Sequence, residues 1–312
     1  MKKILITGGA GFIGSHLCNY YLNKKFHVTC LDNLSSGNKA NIKEFEKNKN
    51  FNFIRHDISI ELKMENNFDW VLNFACPASP KYYLKNPLDT ASASIKGIYN
   101  ILDFCLKNNS TLLHASTSEV YGDPYVHPQP ESYYGNVNTV GPRSCYDEGK
   151  RVAEMLIYEY SKKFELNCKI IRIFNTYGPN MNYDDGRVVS NFINQAITNK
   201  PITIYGDGKQ TRSFCFVDDL IKGINAYLIL KDKFLGPINL GNPEEFDMNE
   251  LAKKVIELTN SSSEIIYEDL PQNDPLKRKP DITLATKKLN YHPKVNIENG
   301  LSKTISYFKK IK

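Results

Sequence analysis

Short apolar segments alternate with longer amphipathic ones in the first part of this chain. The apolar segments cover residues 3–6, 27–31, 51–54, 70–75, 111–115 and 169–174. Most of the sequence between them has the spacing of apolar residues that is typical of helices. Strands that alternate with helices in this way build a parallel sheet covered by helices on both faces. The pattern therefore predicts an α/β protein with a doubly wound parallel sheet.

The alternation becomes less regular after Asn175, where turn signals follow one another. They lie at residues 177–179, 184–186 and 205–208. Residues 237–240 form a further apolar segment, which we expect to return a strand to the main sheet. We therefore predict a main domain over residues 1–175 with a returning segment near 215–242. A smaller, discontinuous α/β lobe is expected over residues 176–214 and 243–312.

The first apolar segment leads directly into a glycine-rich turn. Gly8, Gly11 and Gly14 stand three residues apart, and an amphipathic stretch follows them. Glycines at these positions permit a tight turn, a close approach of the backbone to a pyrophosphate, and close packing of the next helix. Asp32 ends the second apolar segment, where a carboxylate accepts hydrogen bonds from an adenosine ribose. Together they predict a Rossmann-type site for NAD, because Asp32 would repel the 2′-phosphate of NADP.

Ligands of doubly wound sheets bind outside the carboxyl ends of the strands. The residues that follow the apolar segments are therefore the candidates for the rest of the site. Those expected near the cofactor are Phe12, Ile13, Asn33, Ser36, Gly37, Asp57, Ile58, Phe74 and Ala75, and Ser79 is expected near the substrate.

Composition describes an ordinary globular protein of 312 residues, of which 41% are hydrophobic. The formal net charge is +6, with the densest cationic clusters at residues 277–279 and 309–310. Scattered cations of this kind suit an anionic small molecule, and we expect no nucleic acid as a partner. Seven cysteines, an odd number without paired metal-ligand spacing, argue against a disulfide framework and against a structural zinc site. We expect no metal.

Targeting signals are not evident in the sequence. No apolar run approaches the length of a membrane span, and the N-terminal residues enter the first predicted strand without room for a signal peptide. We therefore expect no membrane partner and a cytoplasmic location.

Tyr146 and Lys150 are one helical turn apart, so both side chains can face one site. A lysine ammonium close to a phenol favours the phenolate and lowers the pKa of the tyrosine from about 10 toward neutrality. The spacing alone is not specific, since Tyr20 and Lys24 share it, as do Tyr158 and Lys162. Tyr146 differs from them because it follows residues 116–122, which end a predicted sheet strand, by about thirty residues.

In these motifs the chain resembles the extended short-chain dehydrogenase/reductase family. The resemblance covers the whole chain and includes the glycine turn, Asp32-Asn33, Asp57, Ser116-Thr117-Ser118, Tyr146-x-x-x-Lys150 and Asn175-x-Tyr177-Gly178-Pro179. Within the family, six stretches look like the decarboxylases that convert UDP-glucuronate to UDP-xylose. They are residues 116–123, 141–154, 185–192, 206–214, 239–245 and 274–281.

The resemblance implies that Tyr146 is the catalytic base, that Lys150 lowers its pKa and binds the nicotinamide ribose, and that Thr117 hydrogen-bonds the reacting hydroxyl. Oxidation of the sugar at C4 then leaves a ketone beta to the C5 carboxylate. A beta-keto acid loses CO₂ readily because the electrons of the breaking bond move into the ketone as an enolate. Protonation at C5 and return of the hydride give UDP-xylose and regenerate NAD⁺.

Glu119 distinguishes close relatives within this family. In the 4,6-dehydratases an Asp-Glu pair stands at this strand end, whereas here Ser118 precedes Glu119 and the acid needed for loss of water is missing. The resemblance implies that Glu119 positions a water or the sugar for protonation at C5. It also places Arg278 near the substrate carboxylate, for positioning and proton delivery, since a cation that held this carboxylate too tightly would oppose its loss as neutral CO₂.

For the UDP moiety the resemblance points to two arginines, two amides and an aromatic residue. Arginine forks and amide donors suit a diphosphate, and an aromatic or backbone edge can receive uracil. These residues are Asn175, Arg187, Tyr205, Gln210 and Arg212.

The sequence departs from the decarboxylases at Ser92 and Ser94, where they usually carry lysine and asparagine. The alternatives therefore include release of the 4-keto-pentose product, besides a 4,6-dehydratase or a 4-epimerase on the same fold. A sensor without catalysis is disfavoured because Tyr146, Lys150 and Glu119 are all present. Relatives commonly form homodimers through two helices per subunit, and residues 95–106 and 150–164 are the candidates here.

Overall fold

The computed structural model describes residues 1–64, 67–270 and 277–312. Its strands are β1 (Lys3–Thr7), β2 (His27–Asp32), β3 (Phe51–Arg55), β4 (Trp70–Asn73), β5 (Thr111–Thr117), β6 (Cys168–Ile173), β7 (Thr176–Tyr177), β8 (Ile202–Tyr205), β9 (Thr211–Ser213), β10 (Cys215–Phe216), β11 (Ile238–Leu240), β12 (Glu245–Asp247), β13 (Ile265–Glu268) and β14 (Lys277–Arg278). Its α-helices are α1 (Phe12–Asn23), α2 (Pro80–Tyr83), α3 (Pro87–Asn108), α4 (Ser144–Phe164), α5 (Val188–Ile197), α6 (Val217–Leu228), α7 (Met248–Thr259), α8 (Thr283–Leu289) and α9 (Ile297–Ile311).

The main sheet is parallel and has the strand order β11-β6-β5-β4-β1-β2-β3. Each of the six predicted apolar segments forms one of its strands, and residues 238–240 add the returning strand β11. The strand order reverses between β1 and β4, so the connections from these strands leave in opposite directions. Such a switch point opens a crevice at the carboxyl ends of the strands. The predicted Rossmann-type sheet is confirmed.

Helices cover both faces of this sheet, as the continuous apolar strands require. Ile4 and Ile6 of β1 belong to the apolar cluster that includes Leu17 of α1 and Ile224 of α6. Leu5 points to the opposite face, in the cluster that contains residues of α3 and α4. The alternation of side chains along β1 therefore divides its apolar residues between two cores.

Apart from β11, the strands after residue 175 form smaller sheets beside the main one. Strand β9 lies between β12 and β14, β8 pairs with β13, and β7 pairs with β10. In this arrangement Arg278 of β14 is in register with Arg212 of β9, although 66 positions separate them in the chain. The short strands therefore bring late parts of the sequence to the crevice of the main sheet.

The side chain of Asn239 joins the edge strand β11 to segments from two other parts of the chain. It is fully buried, and its Oδ1 accepts a hydrogen bond of 2.8 Å from the Tyr121 hydroxyl. Its Nδ2 donates to the carbonyl oxygens of Gln129 and Asp281, at 3.0 and 3.1 Å. One amide thus satisfies three polar groups that are held away from water.

All seven cysteines are free thiols, and five of them are buried. Buried thiols of this kind act mainly as small apolar residues. Within the described part of the chain, no helix combines the length and the hydropathy needed to cross a membrane.

Replacement of Asn239 by alanine tests this junction. We expect Asn239→Ala to lower the free energy of unfolding by about 2–4 kcal/mol, because a buried hydroxyl and two buried carbonyls lose their partner. Denaturant titration followed by circular dichroism measures the change. Asn52→Ala, at an exposed position of β3, is the control and is expected to have almost no effect. Equal stability of the two variants would contradict the role of Asn239.

Candidate active site

A cavity of about 1160 Å³ lies at the carboxyl ends of the main-sheet strands and extends to the segments after residue 175. All of the residues that the sequence assigned to the cofactor, to the substrate and to the chemistry line it. Its volume exceeds the range of about 300–1000 Å³ that is typical of a pocket for one small ligand. The cavity therefore has room for a dinucleotide together with a second, nucleotide-sized ligand.

The glycine turn has the geometry that a bound pyrophosphate requires. Gly8 has a φ of +69°, and a Cβ atom there would lie 2.6 Å from the carbonyl oxygen of Phe74. A Cβ atom on Gly14 would overlap the carbonyl oxygen of Gly8. Helix α1 begins at Phe12 with neither a capping side chain nor an acidic residue in its first turn. Its first amide groups are therefore available for an anion.

The Asp32 carboxylate is fixed at the end of β2 by two backbone amides. Ala10 donates to Oδ2 at 3.0 Å and Leu34 donates to Oδ1 at 2.8 Å. A Cβ atom on Gly37 would lie 2.8 Å from Oδ1, so glycine keeps the approach to this carboxylate open. Asn33 joins the neighbouring strand end, because its Nδ2 donates to Asp57 Oδ2 at 2.8 Å. These residues fit the adenosine end of NAD.

Burial distinguishes the Tyr146–Lys150 pair from other pairs of the same spacing. Lys150 Nζ lies 5.8 Å from the centroid of the Tyr146 ring, and Lys162 Nζ lies at nearly the same distance, 5.9 Å, from that of Tyr158. Tyr146 and Lys150 are each only 5% exposed, whereas Tyr158 is 50% exposed. The tertiary structure, and not the spacing, therefore creates a site at the first pair.

Contacts around Tyr146 fix the direction of its ring. The ring stacks on that of Tyr83 with a centroid separation of 5.1 Å and an interplanar angle of 4°. Its hydroxyl is hydrogen-bonded to the side chain of Thr117. Lys150 Nζ donates to the carbonyl oxygen of Ala115 at 2.7 Å. The phenol, the threonine hydroxyl and the ammonium group thus converge at the end of β5.

The structure does not show the expected lowering of the pKa of Tyr146. Burial raises the pKa of Tyr146 well above its usual value, and the hydrogen bond from Thr117 opposes that effect. The Lys150 ammonium is directed to the Ala115 carbonyl instead of the phenolic oxygen. Desolvation therefore outweighs the attraction of Lys150 for a phenolate.

Glu119 lies between two guanidinium groups. Its Oε1 accepts a hydrogen bond of 2.8 Å from Arg278 Nη1, and its Oε2 accepts one of 2.6 Å from Arg143 Nη2. Although burial acts to raise it, the charges of Arg278 and Arg143 hold the pKa of Glu119 down, at about 2. Glu119 is therefore an ionised carboxylate at neutral pH and not a proton donor.

Arg278 is 2% exposed, and most of its donors already have partners in the protein. Besides Glu119, Nη1 donates to Ser118 Oγ at 3.0 Å and Nη2 donates to the carbonyl oxygen of Gly122 at 2.9 Å. Its Nε is buried and has no hydrogen-bond partner among the described residues. Arg278 therefore brings a positive charge to the cavity without a free pair of Nη groups with which to clasp a carboxylate.

The residues expected for UDP line the far part of the cavity. Arg187 forms a two-point ion pair with Asp185, in which Nη2 donates to Oδ2 at 2.8 Å. Gln210 Nε2 donates to the carbonyl oxygen of Tyr205 at 2.6 Å, and the Tyr205 side chain is 42% exposed at the end of β8. Arg212 Nη1 donates to the carbonyl oxygen of Thr211 at 2.9 Å. Tyr205 is therefore a surface residue of the cavity and not part of the apolar core.

The two departures from the decarboxylase pattern lie beside this site. Ser92 lines the cavity, and the Ser94 hydroxyl is 3.3 Å from the Cys76 thiol. Ser94 also packs against Gly149 of α4, where a Cβ atom would lie 2.9 Å from the Ser94 Cβ. Of the similar stretch 274–281, residues 274–276 lie outside the described part of the chain.

Sequence reasoning missed two residues of the site. Tyr83 was not selected, although it stacks on Tyr146, because an aromatic residue on a short helix has no distinctive pattern. Arg143 was not selected either, although its guanidinium lies as close to Glu119 as that of Arg278. Its position three residues before Tyr146 was the available signal, but the contact with Glu119 spans 24 positions.

Comparisons with known proteins agree with this geometry. The model of the NAD dependent epimerase/dehydratase family matches residues 4–241. UDP-glucuronic acid decarboxylase 5 of Arabidopsis thaliana is 49% identical over 300 residues, which cover 96% of this chain and 87% of that protein. UDP-glucuronic acid decarboxylase 1 of Xenopus tropicalis is 46% identical over 309 residues, covering 99% of this chain and 72% of that protein.

A solved structure is also similar over nearly the whole length. UDP-glucuronic acid 4-epimerase from Bacillus cereus, in complex with UDP-glucuronic acid and NAD, is 30% identical with a TM-score of 0.90. The similarity covers 99% of this chain and 100% of the epimerase chain. With its parallel sheet, glycine turn and Tyr146–Lys150 pair, the chain belongs to the NAD dependent epimerase/dehydratase family, within the extended short-chain dehydrogenases/reductases.

Proposed function

We propose that this protein is an NAD-dependent decarboxylase that converts UDP-glucuronate to UDP-xylose through a UDP-4-keto intermediate. The observation that carries the proposal is the ionised Glu119 between Arg278 and Arg143, next to the buried Tyr146–Lys150 pair. Relatives named UDP-glucuronic acid decarboxylase, at 46–49% identity over nearly the whole chain, support it. NAD, when bound, accepts a hydride from the sugar and later returns it, so it is not consumed.

The cofactor is assigned to the first part of the chain and the nucleotide sugar to the second. Residues 1–175, with the returning segment near 215–242, form the NAD-binding domain, and 176–214 with 243–312 form the sugar-nucleotide lobe. For NAD we assign Gly8, Gly11, Phe12, Ile13, Gly14, Asp32, Asn33, Ser36, Gly37, Asp57, Ile58, Phe74, Ala75, Tyr146 and Lys150. For the substrate we assign Ser79, Thr117, Asn175, Arg187, Tyr205, Gln210, Arg212 and Arg278.

In the oxidation step, Tyr146 accepts the proton of the sugar 4-hydroxyl. Its stacking on Tyr83 and its hydrogen bond to Thr117 hold the phenolic oxygen at the end of β5. Because burial raises the pKa of Tyr146, the phenolate requires a positive charge close to it when it forms. Lys150 supplies one such charge from the same helix.

The decarboxylation step benefits from the way in which Arg278 is already occupied. A bidentate arginine–carboxylate pair would stabilise the charged substrate and so oppose formation of neutral CO₂. Here the Nη atoms of Arg278 donate to Glu119, Ser118 and Gly122. The charge of Arg278 therefore lies near the substrate carboxylate, but its Nη atoms do not form a bidentate pair with that carboxylate. Glu119 then orients a water or the sugar while C5 of the enolate takes up a proton.

Ser118 argues against a 4,6-dehydratase. Elimination of water from the sugar needs an acid to protonate the departing hydroxyl. At this position the chain offers a serine hydroxyl that accepts a hydrogen bond from Arg278 and is not an acid at neutral pH. A 4-epimerase needs neither Ser118 nor Glu119 as an acid, so the product decides between that activity and decarboxylation.

We also propose that the protein is a homodimer. Helices α3 and α4 pack together, and their outer sides carry an exposed apolar stripe of Leu88, Ile95, Tyr99 and Leu106 on α3 with Met155 and Tyr158 on α4. The residues on α3 follow one another at intervals of seven, four and seven, which is the spacing of a helix–helix seam. A second copy of the same stripe complements it in a four-helix bundle.

Incubation with UDP-glucuronate and NAD⁺ tests the proposed reaction. We expect release of CO₂ in equal amount to UDP-xylose, with no net formation of NADH, as followed by trapped CO₂ and by NMR of the sugar nucleotide. CO₂ with UDP-4-keto-pentose and NADH would mean that the last reduction is inefficient. Conversion of UDP-glucuronate to its C4 epimer without CO₂ would refute the decarboxylase and indicate the epimerase.

Removal of the Tyr146 hydroxyl tests its role as the base. Tyr146→Phe is expected to slow oxidation of the substrate by about 10²–10⁴-fold, because the 4-hydroxyl loses its proton acceptor. The absorbance of bound NADH measures the rate, and calorimetric titration is expected to show nearly unchanged binding of UDP-glucuronate. Tyr20→Phe, which also has a lysine four residues later, is the matched control. Oxidation by Tyr146→Phe at the normal rate would exclude Tyr146 as the base.

A charge placed in the apolar stripe tests the homodimer. The wild-type protein is expected to have twice the chain mass of 35.6 kDa in light scattering coupled to size exclusion. Met155→Glu is expected to shift it to the monomer, because two buried carboxylates would face each other across the two-fold axis. Ile229→Glu changes an equally exposed residue outside the stripe and serves as the control. A wild-type monomer, or a dimer that Met155→Glu leaves intact, would argue against this interface.

A further inference from the structure

Arg143 connects the two parts of the site that carry the chemistry. It is the residue before the first residue of α4, and its carbonyl oxygen accepts hydrogen bonds from the amides of Tyr146 and Asp147, at 3.0 and 3.1 Å. Its side chain leaves the helix and reaches Glu119, which lies on the turn after β5. One residue therefore links the helix of the proposed base to the carboxylate beside the substrate.

The Glu119 carboxylate is divided between Arg143 and Arg278. Arg278 Nη1 is 2.8 Å from Oε1, but its Nη2 is 3.5 Å from Oε2, which is too long for a strong second bond. Oε2 instead accepts the 2.6 Å bond from Arg143 Nη2. The pair between Glu119 and Arg278 is therefore held short of the bidentate geometry that arginine and carboxylate otherwise prefer.

Asp147 is a second acidic residue close to the Arg143 guanidinium. Its Oδ2 is 3.9 Å from Arg143 Nε, within the first turn of α4. Burial, together with the charge of Glu119, raises the pKa of Asp147 to about 7. Asp147 therefore neutralises Arg143 only in part, and of these two carboxylates Glu119, at 2.6 Å, lies closer to the Arg143 guanidinium.

We propose that Arg143 is a positioning residue, which acts through Glu119 to keep that carboxylate turned toward the substrate during the steps that follow oxidation. Without Arg143, Oε2 has its nearest guanidinium partner at 3.5 Å, and the carboxylate rotates into a two-point pair with Arg278. Glu119 would then be withdrawn from the position where it orients the group that protonates C5. The inference rests on the proposed decarboxylase function.

The steps that this role affects are separate from hydride transfer. Loss of CO₂ breaks the bond between C5 and the carboxylate, and the electron pair moves into the C4 ketone as an enolate. C5 then takes a proton from water, and the hydroxide that remains is neutralised by solvent. Tyr146 and Lys150, which act in oxidation, are not hydrogen-bonded to the Arg143 guanidinium in the described structure. Oxidation is therefore expected to be almost independent of Arg143.

Single-turnover kinetics with UDP-glucuronate and the NAD-loaded enzyme test the proposal. In Arg143→Ala we expect NADH to appear within about threefold of the wild-type rate, whereas its disappearance and the formation of UDP-xylose slow by about a hundredfold, the usual cost of misplacing a catalytic group. Arg143→Lys keeps the positive charge but loses the forked guanidinium. The rates of its late steps are expected to lie between those of the wild type and those of Arg143→Ala. Arg55→Ala removes the same charge from an exposed site on β3 and is the control.

A double-mutant cycle separates positioning from a general structural role. If Arg143 acts through Glu119, then adding Arg143→Ala to the Glu119→Gln variant causes no further decrease in the rate of UDP-xylose formation. Added ethylguanidinium is expected to restore part of the rate of the steps after oxidation in Arg143→Ala. It is expected to have no such effect in Glu119→Gln. If Arg143→Ala fails to fold, as judged by circular dichroism and thermal unfolding, the same cycle with Arg143→Lys replaces it.

Three results would overturn the proposal. They are an unchanged rate of product formation in Arg143→Ala, an equal slowing of oxidation and of the late steps, and losses that multiply in the double variant. These outcomes are distinct from failure of the proposed function. If the proposed function fails, the wild-type protein itself releases no CO₂ from UDP-glucuronate. If only the proposal for Arg143 fails, the wild-type protein releases CO₂ and the Arg143 variants alone deviate from expectation.

Discussion

The ion triad of Arg143, Glu119 and Arg278 is the interaction on which the candidate active site depends. Its members come from the start of α4, the turn after β5 and the strand β14. Two guanidiniums around one carboxylate compensate the loss of hydration that each charge would suffer alone in a buried place. The triad therefore binds the late part of the chain to the end of the main sheet, and it also sets the charge that the substrate meets.

The triad also explains why this site suits loss of a carboxylate. A strongly cationic pocket would hold the negative substrate and resist formation of neutral CO₂. Glu119 removes one of the two positive charges, and the Nη atoms of Arg278 already donate to protein oxygen atoms. The site is therefore positive enough to attract the substrate carboxylate without clasping it. Ser118 completes this arrangement as a neutral acceptor in the place where a dehydratase would carry an acid.

The sheet, and the position of the cavity at the carboxyl ends of its strands, followed from sequence because both depend on local signals. Continuous apolar segments specify buried parallel strands, and all six predicted segments are strands of the main sheet. Because parallel strands end at one edge, residues after them meet there, and the candidate residues do line one cavity. Lys150 was expected to lower the pKa of Tyr146, but its ammonium is directed to the Ala115 carbonyl and burial prevails.

The sequence by itself determined which segments form the strands of the main sheet. It also determined the glycine turn for a pyrophosphate and the types of residue at the strand ends. These features depend on backbone sterics and on the period of apolar residues, which neighbouring positions encode. Only the tertiary structure decided which Tyr–Lys pair is buried, and that Arg143 shares Glu119 with Arg278 across 24 and 159 positions of the chain. Burial and ion pairing of this kind depend on distances between segments far apart in sequence, and no local pattern specifies those distances.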